Sequence, residues 1–137
     1  MDSEETEESF FVFPEKDNER FKIQVRVFAT KGEMIRAYNQ QVGSRLKLKN
    51  FRAITVGFLS PVKGVVAEVL FNQNDLGPEI IAHEMMHAVF TYGRFLRKNF
   101  RDLDYADTDE IVQGLEEWLC SRLQRLVDTV HEQLAHP

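Results

Sequence analysis

Residues 80–90, IIAHEMMHAVF, constrain the fold of this chain more than any other stretch. Asp75 or Gly77 can cap a helix here. Pro78 suits the first helical position, where no N–H is needed, and Glu79 complements the positive helix end. Gly93 is placed to stop the helix in a left-handed turn. Between these marks the helix is apolar nearly all round, through Ile80, Ile81, Met85, Met86, Ala88, Val89 and Phe90. Such a helix is expected at the centre of a core. Yet it carries His83, Glu84 and His87. Burying three titratable groups is costly unless they find partners.

Their spacing suggests one shared partner. His83 and His87 lie four apart, so a helix stacks them on one face. Two imidazoles so placed converge on one metal ion. Glu84, one step round the helix, then stands beside the metal and can take a proton from water that the metal polarises. Four His and 14 Glu in 137 residues produce His-Glu-x-x-His by chance in roughly one such chain in a hundred. Without a metal, the two histidines would be core groups satisfied by neighbouring backbone or carboxylates.

The remaining chain supplies a frame for this helix. Residues 20–28 alternate, with Phe21, Ile23, Val25 and Val27 facing one way and Lys22, Gln24 and Arg26 the other, which predicts a half-buried strand. FFVF at 10–13 is a shorter strand candidate. A helix is expected from Gly32 to about Val42. RAITVGFL and VVAEVLF form a predicted hairpin, joined by a loop of several residues around Pro61 and Gly64. Residues 94–106 are expected as a connector. A long helix follows from about Thr108 to Leu134, striped by Ile111, Leu115, Trp118, Leu119, Leu123, Leu126 and Val130. The fold class is α+β: a small, mostly antiparallel sheet packed on the buried helix and the long C-terminal helix.

A catalytic zinc site takes three protein ligands and keeps one position open. A third His six residues after His87 would extend the motif, but that position is Gly93. His131 and His136 lie at the chain's end, where exposure is expected. The alternative, as in thermolysin-type sites, is a Glu from a later helix, which points to Glu110, Glu116 and Glu117, with an Asp of the connector as a further candidate. Glu117 is favoured, because Gly114, Cys120 and Ser121 beside it are small and permit close approach to a metal helix. Glu116 borders the apolar stripe. Glu110 sits in the first turn, where an acid serves the helix dipole alone. Cys120 is a further candidate, although a small buried residue is its plainer role.

AHEMMHAVF, the preceding hairpin strand and the downstream EEWLC together resemble the zincin metallopeptidases. More narrowly they are similar to small gluzincin-type proteins of phages and bacteria, with ImmA/IrrE-type peptidases as relatives. The resemblance covers about residues 64–126 and implies a minimal zincin-like domain. It implies Zn²⁺ held by His83, His87 and a later Glu, with Glu84 as general base. In gluzincins the ligand Glu is often followed three residues on by a small residue, which fits Glu117 with Cys120. The implied activity is hydrolysis of a peptide or protein substrate. The alternative is a zincin-fold regulatory or binding protein without turnover, contacting a repressor or nucleic acid.

Composition narrows the classes. The net charge of −5 resides in residues 1–9, where Asp2, Glu4, Glu5, Glu7 and Glu8 are unopposed. Residues 10–137 are formally neutral. The acidic tail at 1–9 is expected to be disordered, leaving 10–137 as a single domain. No apolar run is long enough to span a bilayer, so no membrane role is expected. A single cysteine and an acidic N-terminus predict a cytoplasmic protein without disulfides. Basic clusters SRLKLKNFR and GRFLRKNFR, with Phe51, Phe95 and Phe100 interleaved, make nucleic acid a minor partner candidate. Tyr92 and Tyr105 could donate to an oxyanion, or serve as ordinary core and surface tyrosines.

Overall fold

The structure is a computed structural model that describes residues 7–16, 18–43, 51–99 and 108–135, the side chains of 59, 99 and 108–116 excepted. Its elements run β1 (Glu8–Val12), β2 (Lys22–Phe28), α1 (Lys31–Val42), β3 (Ile54–Val62), β4 (Val65–Asn72), α2 (Pro78–Asn99) and α3 (Thr108–Ala135). The four strands form one sheet in the order β1-β2-β4-β3. Pairs β1–β2 and β3–β4 are antiparallel, whereas β2–β4 is parallel. The sheet is therefore mixed, within an α+β fold. β1 begins at Glu8, two residues before the expected FFVF strand.

The alternation in β2 sorts its side chains between two layers. Ile23, Val25 and Val27 join Ala67, Val69 and Phe71 of β4 on one face, against Ile81, Met85, Ala88 and Val89 of α2 and Leu126 and Val130 of α3. On the other face, Phe28, Ile54 and Leu70 pack with Met34 of α1. β4 is buried on both faces along most of its length, as suits an inner strand flanked by helices. Among these apolar groups lies a polar cluster. Arg26 donates to Glu68 at 2.7 Å and to Glu7, and Gln41 Nε2 donates to Glu68 at 3.2 Å. The hydrogen bond with Glu7 foremost, then that with Glu68, raises the Arg26 pKa against the opposing effect of burial. The buried Glu68 carboxylate thus has the charged partner that burial demands.

The hairpin joining β3 and β4 is tighter than its sequence suggests. Only Lys63 and Gly64 separate the strands, with φ of 56° and 80°. Positive φ at both positions matches a two-residue hairpin turn whose twist follows that of the strands. Pro61 belongs to the strand. It falls between Gly57 and Val62, where β3 leaves regular register, so its missing N–H is tolerated.

α2 also differs from expectation. It passes through Gly93 and ends at Asn99. Trp118 of α3 lies over Gly93 and stacks on Tyr92, with ring centroids 5.8 Å apart. The glycine serves helix contact here, not helix termination, and residues 94–99 of the expected connector are helical. The far end of the chain is tied back to its start. Glu15 accepts from Tyr92 Oη at 2.8 Å and from Arg122 Nη2 at 2.7 Å, and Arg125 Nε donates to the Phe13 carbonyl at 2.9 Å. Among the described residues, no helix is long and apolar enough to cross a membrane.

Candidate metal centre

α2 buries one stripe, Ile81, Met85, Ala88, Val89, Tyr92 and Leu96, against the sheet and α3. The histidines fall on the neighbouring stripe. The expectation that all three polar groups lie deep in the core is therefore corrected. His83 is open, with 66% of its side chain accessible, His87 is exposed, and Glu84 alone is buried, at 6%. The helix is not apolar-packed all round either, because Met86 and Phe90 are exposed.

The three side chains nevertheless meet. His83 Nε2 and His87 Nε2 lie 3.1 Å apart, and His83 Nε2 lies 3.7 Å from Glu84 Oε2. One ligand atom from each of the three falls within 4.8 Å of the others. At 3.1 Å the two ring nitrogens can share a proton or a cation. Two Zn–N bonds at the tetrahedral angle would hold them about 3.3 Å apart, so the pair fits zinc with a small rotation of either ring.

Glu84 is held from the sheet side. Thr55 of β3 donates through Oγ1 to Glu84 Oε1 at 2.9 Å. That contact needs β3 to lie close on α2, and the small residues of this strand face allow it. A Cβ on Gly57 would come within 2.7 Å of Thr91 Cγ2. Thr55 was not singled out in the sequence. The signal was present in the alternation Ala53, Thr55, Gly57, a strand face kept small where a helix approaches.

The cluster opens into a cleft between β3 and α2. Its α2 wall carries Glu79, His83, Glu84, His87, Thr91 and Arg94, and the opposite wall includes Tyr38, Phe51, Arg52 and Thr55. β3 is the last strand of the sheet, so one of its edges borders this cleft without a strand partner among the described residues.

Glu117 does not join the histidines. It is exposed on α3, is absent from the cluster and does not line the cleft. The side chains of Glu110 and Glu116 lie outside the described residues, as do Tyr105 and His136. His131 is exposed as expected. Cys120 is also exposed, not buried. Tyr92 is a core residue whose hydroxyl is engaged by Glu15, which takes it away from any oxyanion role. Met85 is buried, and Met86 is exposed without lining the cleft. The chain matches no protein-family model, no curated protein and no solved structure.

Proposed function

We propose that the chain is a small zinc-dependent metallopeptidase with a zincin-like domain. The observation that carries this reading is the convergence of His83, Glu84 and His87 in a cleft bordered by an edge of β3 that has no strand partner among the described residues. His83 and His87 would hold Zn²⁺ with a carboxylate from α3, for which Glu116 and Glu110, whose side chains lie outside the described residues, come before Glu117, which stands away from the cluster. When bound, the ion would acidify a water molecule and polarise a substrate carbonyl. Glu84 would act as general base. Its burial keeps the carboxylate out of bulk water, and the Thr55 hydroxyl fixes one oxygen, leaving the other toward His83. The β3 edge offers main-chain donors and acceptors to an extended peptide. Thus the substrate is a peptide or protein, and cytoplasmic location belongs to the same reading.

Metal content and the Glu84→Gln variant test it together. Protein purified without added metal should carry about one zinc per chain by elemental analysis. Glu84→Gln should keep the zinc and the fold while losing peptide cleavage. Absence of zinc after gentle reconstitution would sink the proposal, as would undiminished cleavage by Glu84→Gln. Alanine variants at Glu117, Glu116 and Glu110 identify the third ligand by loss of zinc. One observation favours a second reading, a zincin-fold binding or regulatory protein without turnover. Among the described side chains, no third ligand outside the motif stands beside the two histidines. That reading predicts a biological effect unchanged by Glu84→Gln.

A further inference from the structure

His83, His87 and Arg94 follow one stripe of α2, since steps of four and seven residues return to nearly the same face. All three line the cleft. Arg94 lies about 10.5 Å beyond His87 along the axis, at 1.5 Å per residue, and helical side chains lean back toward the N-terminus. Its guanidinium therefore overhangs the cleft on one flank of the histidines. Arg94 is exposed and has no ion-pair partner among the described residues, whereas Arg26 and Arg122 are each paired with a carboxylate. The other flank is electrically mixed, because Arg52 and Glu79 both line it. Among the described residues, the cleft is thus cationic at one end only.

Resting on the peptidase reading, we propose that Arg94 selects peptides with a carboxylate side chain on the flank toward the α2 C-terminus, two or three residues from the bond placed at His83 and His87. The offset follows from the axial distance, less the backward lean of Arg94, at about 3.3 Å per residue of extended peptide. Charge-assisted pairing of guanidinium with carboxylate is strong and directional. A phosphate backbone would pair with Arg94 as well. An extended peptide is favoured over it because the bordering β3 edge supplies main-chain hydrogen bonds that a nucleic acid does not use, and because residues 10–137 are formally neutral.

The test uses the full chain carrying Glu84→Gln, so that binding is read without turnover. Fluorescein-labelled ten-residue peptides, identical except for Glu, Gln or Lys at one scanned position, are titrated by anisotropy. The Glu peptide should bind about tenfold tighter than the Gln peptide at one flank only, the size expected of one charge-assisted contact. Arg94→Glu should abolish that preference and favour the Lys peptide, and Arg94→Lys should retain part of it. Arg97→Glu, which makes the same charge change outside the cleft, should leave it intact. Equal losses in Arg94→Glu and Arg97→Glu would overturn the inference. So would Arg94-dependent displacement of the peptide by a single-stranded oligonucleotide at equal charge concentration. Selective binding by a wild-type chain that cleaves nothing would sink the peptidase reading alone. Cleavage indifferent to Glu, Gln or Lys would sink the Arg94 assignment alone.

Discussion

Glu84 is the most constrained residue of the site, buried to 6% exposure with Thr55 as its hydroxyl donor. A carboxylate so placed costs stability, since one neutral donor replaces several waters. Glu84→Gln removes the charge and keeps an acceptor for Thr55. Urea denaturation of the metal-free protein should therefore show the variant more stable by about 1 kcal/mol. Thr55→Val tests the orienting role. It should lower kcat by about tenfold to a hundredfold, the worth of one hydrogen bond to a charged group, with zinc content unchanged. A Thr55→Val enzyme of wild-type kcat would show that Glu84 needs no guide from β3. The motif itself was legible in the sequence because four-residue spacing on a helix fixes which side chains can meet. Thr55 was legible only as part of a small strand face, because Ala53, Thr55 and Gly57 mark a close approach without naming the helix that makes it.

At the scale of elements, the close seating of β3 on α2 joins the edge strand to the histidine helix. Gly57 faces Thr91, leaving no room for a Cβ, which would lie 2.7 Å from Thr91 Cγ2. Gly57→Ala should cost about 1–3 kcal/mol through overpacking. Thr91 cannot simply swing away, as its hydroxyl donates to the His87 carbonyl at 2.8 Å. Removing the obstacle in a Thr91→Ala background should cut that cost by more than half, measured as a double-mutant cycle. Additive costs would mean that the contact does not set the spacing. Two element boundaries escaped the sequence for the same reason, that Gly and Pro are ambiguous marks. Gly93 reads as a helix stop, but the Trp118 ring across from it rewards an uninterrupted α2. Pro61 reads as a turn, but a strand out of register asks nothing of its nitrogen. By contrast, β2 was legible nearly to the residue through its alternation, and α1 was legible in extent, although Thr30, whose hydroxyl accepts from Glu33 N, was not singled out as its cap. The third ligand was not legible, because three candidate glutamates on one helix differ by face and depth, which depend on how α3 packs.

For the whole molecule, metal and fold should be coupled. Zinc at about 100 times its dissociation constant should stabilise the native chain by about 2.7 kcal/mol, read as a rise in unfolding midpoint that His83→Ala abolishes. An unchanged midpoint would mean that the histidine pair is not a zinc site. The Glu15 contacts act at the same scale. Glu15→Ala removes the acceptor shared by the Tyr92 hydroxyl and Arg122 Nη2 and should cost about 2–3 kcal/mol by urea denaturation. The parallel β2–β4 pairing was another global property hidden from the sequence, since either orientation satisfies the same alternation. Glu15 and Arg122 stand 107 positions apart. On the ribosome, at about 5–20 residues per second, the first strand must then wait about 5–20 s for the helix that secures it. Until α3 leaves the exit tunnel, the apolar face of the sheet that Leu126 and Val130 finally cover is open to chaperones and to other nascent chains.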